Sequence, residues 1–280
     1  MWQWKKKHGI ICVKGKAQSG TEMEYDGMTY DLQKAGIWKR FAAFLFDGIL
    51  AGMLAVGLGL LLSLVLGYNG YNEKLEQAYA KYEAEYGITF EITQSEYESM
   101  GEVGRQNYDA AYRALTADGD AMRTYNVVLQ MSLLITTLGI LLAILVWEFL
   151  IPLALGNGQT LGKKIFGLCL VRADSVRVNN LQLFTRAVLG KFTVETMIPV
   201  YILLMIFWGS MGILGPVLLL GLLIGQIVSL AVTRTNSALH DLMAGTVVVD
   251  SASQMIFPTA DARLEYQKKI AAERAARQTY

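Results

Sequence analysis

Cysteine, histidine and proline are all scarce in this chain of 280 residues, which holds two, two and four of them respectively. Cys12 and Cys169 are too few for a disulfide framework, and both are expected on the cytosolic side, where thiols stay reduced. Histidine occurs only at His8 and His240, so no HExxH metal motif exists; no GxSxG nucleophile turn exists either. The glycine-rich run Gly158–Lys164 lacks both the spacing and the Ser/Thr after lysine that a nucleotide phosphate loop needs. An enzyme, a resident metal and a cofactor are therefore not expected. A net charge of +1 gives no reason to expect nucleic acid as a partner.

What the chain has is apolar residues, 53% of the total against 18% charged. The longest run spans 35–66, and from Phe41 to Leu66 its one ionisable residue is Asp47. A helix of that length crosses ~30 Å of hydrocarbon. Trp38, Lys39 and Arg40 stand at its front edge as interfacial anchors. The expected fold is all-α: a helical membrane protein with four transmembrane helices, an extracellular helical hairpin insertion and cytosolic interfacial helices.

Residues 1–34 read as a cytosolic tail without an apolar core, so the first span doubles as the insertion signal. Short strands are suggested at Gly9–Val13 and Glu24–Leu32. Small-residue ridges on the first span, Gly48-x-x-x-Gly52 and Ala51-x-x-x-Ala55-x-x-x-Gly59, admit a close helix neighbour or a second copy of the chain. Residues 67–125 form a polar insertion with eleven acids against five bases. Leu75, Tyr79, Tyr82 and Tyr86 fall at helical spacing, as do Tyr97, Gly104, Tyr108, Tyr112 and Leu115, and Thr93-x-x-Glu96 is a capping box. Two amphipathic helices sharing a tyrosine seam follow.

The second span is expected at 126–151, stopped by Pro152. A basic interfacial segment, 152–192, then holds a glycine turn into a short helix, a strand near Leu168–Val171 and an amphipathic helix near Leu181–Lys191. Residues 193–233 suit a transmembrane hairpin broken at Gly209–Gly212. Pro199 lacks an amide hydrogen and leaves the Glu195 carbonyl without its helical donor, which predicts a kink. A cytosol-proximal segment, 234–250, contains His240-Asp241 and a strand-like Val247–Val249; a solvated tail, 251–280, is helical over Ala260–Gln278.

Of 25 Lys and Arg, 20 lie outside the insertion, so the positive-inside rule places both termini in the cytosol of a cell (inner, cytoplasmic) membrane and the insertion outside. Asp47 then lies roughly 10 Å beyond Arg40 along the helix axis. Arg40 and Asp47 are two turns apart and are not expected to pair. Asp47 needs another partner, for which Lys163, Lys164, Arg186, Lys191, Arg234 and His240 are the candidates. A charge at mid-depth costs ~2.5–3.5 kcal/mol, more than the ~1 kcal/mol that an interhelical hydrogen bond returns. A structural pin at Asp47 is thus weaker than a functional reading, whereas Glu148 and Glu195, nearer the interface, divide evenly between snorkelling and function. His240 and Asp241 are neighbours in sequence, so their side chains are expected to diverge.

Three segments together resemble the RDD family of membrane proteins, named for one arginine and two aspartates. They are Gly36-Ile37-Trp38-Lys39-Arg40-Phe41-Ala42-Ala43-Phe44-Leu45-Phe46-Asp47, Gly158-Gln159-Thr160-Leu161-Gly162-Lys163-Lys164-Ile165-Phe166-Gly167-Leu168 and Leu239-His240-Asp241-Leu242-Met243-Ala244-Gly245-Thr246-Val247-Val248. The resemblance matches Arg40, Asp47 and Asp241 to the naming residues and implies transport of a small ligand, with cation/proton exchange in some members. The acidic insertion and the long tails depart from the family pattern. The expected ion-binding or transport residues are Asp47, Arg40, Asp241, Glu148 and Glu195, supported by His240, Lys163, Gln226 and Arg234. The alternative is a non-transporting sensor or scaffold whose acidic hairpin binds a partner.

Overall fold

The structure, a computed structural model, describes residues 32–156, 158–233 and 235–278. The N-terminal strand expectations, apart from Leu32, and Arg234 lie outside the described residues. Among the described residues four helices are long and apolar enough to cross a membrane: α1 (Ile37–Leu66), α5 (Gly119–Leu155), α7 (Asn180–Phe207) and α8 (Leu214–Val232). Between α1 and α5 come α2 (Tyr68–Tyr86), α3 (Gln94–Ser99) and α4 (Glu102–Ala117). After α5 come α6 (Leu161–Ile165) and β1 (Leu168–Arg172), and after α8 come α9 (Leu239–Ala244), β2 (Thr246–Asp250) and the longer α10 (Ala260–Gln278). The chain divides into two compact units, one of residues 53–142 and one of the flanking segments up to Gly52 and from Ala143.

Within the unit 53–142 the aromatic seam forms. Tyr82, Leu115 and Ala121 are buried together, with Tyr79, Tyr86 and Phe90 against them. Thr93 caps α3 reciprocally with Glu96, as its spacing predicts. Tyr97 and Tyr108 meet edge to face at 5.3 Å. Tyr112, expected in the seam, is 55% exposed instead, because the helix turns that position outward. The small-residue ridge on α1 is used here: a Cβ on Gly139 of α5 would stand 3.3 Å from the Ala55 carbonyl and 3.4 Å from Gly59.

The other unit is built differently. β1 and β2 pair antiparallel, Leu168 opposite Asp250 and Arg172 opposite Thr246, and every residue but the last of each strand is buried. Cys169 lies fully buried in β1, and burial pushes its thiol up to about 12. Lys34 bridges to Val249, and Asp250 N–H donates to the Gln33 carbonyl, so the chain leading into α1 is tied to the same pair of strands.

Two spans differ from the sequence expectation. The amphipathic helix near 181–191 and the third span are one continuous helix, α7, so Arg186 and Lys191 sit inside a spanning helix. Pro152 does not end the second span, which runs on to Leu155. Both helices widen into π turns, Leu145–Leu150 in α5 and Arg186–Met197 in α7. Each π stretch ends two residues before a proline, Pro152 or Pro199. Proline cannot donate and crowds the carbonyl four residues back; opening the ladder upstream accommodates the ring without breaking the helix. Thr193 and Thr196 hydroxyls donate to the Val188 and Lys191 carbonyls within the wide turn of α7.

Candidate functional site

Asp47 is 4% exposed, and its partners are not the basic side chains expected of it. Its Oδ1 accepts from the Trp147 indole at 3.0 Å and from the Gly162 amide at 2.8 Å. Its Oδ2 accepts from the Thr160 hydroxyl at 2.5 Å. Neutral donors satisfy the carboxylate because the N-terminus of α6 aims the free amide of its first turn and the hydroxyl of its cap, Thr160, at α1. That approach requires glycine at 162: a Cβ there would lie 2.6 Å from the Ala43 carbonyl oxygen and 2.8 Å from Asp47 Cγ. Asp47 therefore fastens three elements, namely α1, the π turn of α5 and the α6 turn.

The cations gather around Arg186, which is 2% exposed. Its Nε donates to Asp241 Oδ1 at 2.8 Å and one terminal nitrogen donates to Glu148 Oε2 at 2.6 Å. The other terminal nitrogen lies 2.9 Å from His240 Nε2. Arg40 reaches the second Asp241 oxygen at 3.3 Å and donates to the carbonyls of Thr235 and Asn236. Lys191 donates to Glu148 Oε1. The π geometry helps here, since it brings Arg186, Lys191 and Glu195, spaced five and four residues apart, toward one side of α7.

His240 closes the other end of the network. Its Nδ1 lies 2.7 and 2.8 Å from the two Glu195 oxygens, and Gln226 donates to Glu195 at 3.0 Å. A guanidinium can only donate, so Nε2 accepts from Arg186 and Nδ1 carries the hydrogen toward Glu195; this is neutral imidazole. Burial, seconded by Arg186, holds His240 below its ordinary pKa and agrees with that tautomer. Burial pushes the Asp241 carboxyl up, but Arg186 and its other charged neighbours more than reverse this and hold it well below the carboxylate range. Close packing of α9 on α7 depends on Gly190, where a Cβ would sit 2.5 Å from His240 Cβ. The expectation that His240 and Asp241 diverge is not met: the Arg186 fork reaches both, and His240 Nε2 is 3.5 Å from Asp241 Oδ1.

Beside this network lies a cavity of about 630 Å³. Its lining is largely apolar, with Phe41 and Phe44 from α1 and Leu222 and Leu223 from α8, and also includes Arg40, Lys163, Arg186, Glu195, His240 and Asp241. Lys163 is 7% exposed and its ammonium has no hydrogen-bond partner; the nearest acid oxygen, Glu148 Oε2, is 3.6 Å away. Burial and Arg186 push Lys163 down to about 8.

Of the residues singled out from sequence, Arg40, Glu148, Lys163, Glu195, Gln226, His240 and Asp241 meet in one connected cluster; Asp47 lines the same cavity but is held separately. Glu148, 3% exposed, does not snorkel. Arg186, the hub, is weighed in the sequence only as a partner for Asp47; lying in a mixed segment, it reads as an interfacial charge. Trp147, Thr160 and Gly162 act through an indole, a hydroxyl and an amide that no charge pattern reveals. No curated protein and no solved structure matches the chain. The model of the RDD family matches residues 34–245, which takes in α1, the Asp47 clasp, the Arg186 cluster and α9. This multi-pass helical membrane protein belongs to the RDD family.

Proposed function

We propose that the chain takes a small ligand into the cavity beside Arg186 and moves it across the membrane, with both termini cytosolic by the positive-inside rule. The observation that carries this reading is the cavity itself, which lies among spanning helices with apolar walls and carries the ionisable side chains of α1, α6, α7 and α9 on its lining. A volume of 630 Å³ falls within the ~300–1,000 Å³ of small-molecule sites. Asp47 serves this site by anchoring its wall, since both its oxygens already accept hydrogen bonds. Cation/proton exchange is the second reading, favoured by the His240–Glu195 pair on the cavity lining.

The test is flux in proteoliposomes holding the full chain and an internal pH dye, challenged in turn with Na⁺, K⁺, short carboxylates and phosphate. At least one solute is expected to move faster than in protein-free vesicles, and Leu222→Trp, which fills the cavity, is expected to slow it about tenfold or more. Asp250→Asn, which weakens the solvent-exposed pair with Lys39 away from the cavity lining, is expected to leave it unchanged. Flux equal to that of empty vesicles for every solute overturns transport.

A further inference from the structure

The two ring nitrogens of His240 play opposite parts. Nε2 accepts from the Arg186 guanidinium at 2.9 Å, and Nδ1 donates to Glu195 at 2.7 and 2.8 Å. A proton added to this ring has one place to go, Nε2. There it would set N–H against N–H and one positive charge against another, because a guanidinium has no lone pair to offer. Proton uptake therefore costs the bond to Arg186. The new N–H has an acceptor close by, since Asp241 Oδ1 lies 3.5 Å from Nε2. Glu195, on the other side of the ring, would turn from hydrogen-bond partner to ion-pair partner. The root of the side chain is fixed: a Cβ at Gly190 would stand 2.5 Å from His240 Cβ and 2.7 Å from its Cα. The exchange is thus left to the ring and to the Arg186 fork.

The charged groups around the ring come from several elements. Arg186, Lys191 and Glu195 belong to α7, and Asp241 to its own helix. Arg40 of α1 and Lys163 of α6 stand beyond Asp241, and Glu148 of α5 lies behind Arg186; α8 adds the neutral Gln226 amide, bonded to Glu195. With Asp47 counted, four acids face four bases, so one further proton leaves the cluster unbalanced by a single charge. Burial, with Arg186 adding to it, holds the imidazole below its ordinary 6.5, so the bonding described is that of the unprotonated ring. Glu195 lines the cavity and its side chain is 18% exposed, which gives solvent a way to the pair.

We propose that His240 is a proton-operated switch: a proton bound at Nε2 exchanges the bond to Arg186 for one to Asp241 and frees one nitrogen of the Arg186 fork. Arg186 keeps Glu148 and Asp241 through its other two nitrogens, so the network changes one link without coming apart. Arg186, His240 and Asp241 all line the cavity, so whatever the cavity holds meets a different lining in the two states. The switch goes beyond the transport reading and is tested without measuring flux.

His8 and His240 are the two histidines of the chain, so in a His8→Asn background one imidazole carries the whole signal. The full chain, with ¹⁵N-labelled histidine and arginine, is placed in phosphatidylcholine nanodiscs and titrated from about pH 8 to about pH 4 by magic-angle-spinning NMR, a range that brackets the ordinary histidine value. At the alkaline end Nδ1 is expected to carry hydrogen and Nε2 none, with a through-space cross-peak between Nε2 and an arginine side-chain nitrogen. On acidification Nε2 is expected to gain a proton and to lose that cross-peak at one shared midpoint below 6.5. Glu195→Gln keeps the shape and removes the carboxylate that receives the imidazolium; it is expected to lower the midpoint by about one pH unit, a tenfold loss of proton affinity. The switch is overturned by Nε2 protonated at the alkaline end, by a ring that takes up no proton over the range, by a cross-peak that survives protonation, or by an unmoved midpoint in Glu195→Gln. Solute flux without this titration rejects the switch and leaves transport standing; the titration without flux does the reverse.

Discussion

Asp47 and Asp241 are both buried aspartates seven residues past an arginine in the linear chain, Arg40 and Arg234, yet the fold treats them differently. Asp47 is held by an indole, a hydroxyl and an amide; Asp241 is held by the guanidinium groups of Arg186 and Arg40. Neutral donors fix geometry and leave the negative charge local to the joint they fasten. Cationic donors link Asp241 to Glu148 and, through Arg186, to His240, so a charge change at any member is felt by the rest. The clasp sets where the cavity wall stands. The network sets the charge along its lining.

The comparison breaks most visibly at Arg186. Arg186→Leu strands Glu148 and Asp241 without their main partner in a dry site, and a loss of about 3–5 kcal/mol is expected, read as failure to purify as a monodisperse species or as a collapsed melting temperature. Asp47→Asn is expected to cost less, about 1–3 kcal/mol, because an amide still accepts two bonds but presents N–H groups to donors. A melting curve unchanged by that substitution would remove the clasp from the account. The smallest effect sharpens the contrast through pH. His240 is held neutral in the fold, below its ordinary 6.5, so its contribution to stability is present above that pH and is lost as the unfolded chain takes up a proton below it. Lys163, pushed down to about 8 from 10.5, works in the alkaline range: between those values the unfolded chain keeps a proton that the fold has released, so stability rises with pH. Melting temperature measured from pH 5 to 10.5 is expected to follow both slopes, His240→Gln flattening the acid limb and Lys163→Met the alkaline one.

Much of this was readable from the chain. The first span, expected at 35–66, is α1 at Ile37–Leu66, because one buried acid hardly interrupts an apolar run. The C-terminal helix and the Thr93 cap also fall where spacing puts them, since both are local signals. The third span was legible only in its apolar half. Arg186 and Lys191 break its hydropathy, and what neutralises them, Glu148 and Asp241, lies 38 to 55 residues away in sequence. Charge is what a sequence displays, so it points to bases as the partners of Asp47. A backbone amide freed by a glycine turn satisfies a carboxylate as well, and its direction exists only in three dimensions.

The bridge from Lys34 to Val249 has a practical sequel. The strand that follows the last spanning helix grips the stretch that precedes the first, so the flanks of the membrane core depart from one face. Reporters inserted beside Lys34 and beside Val249 are therefore expected to report the same compartment.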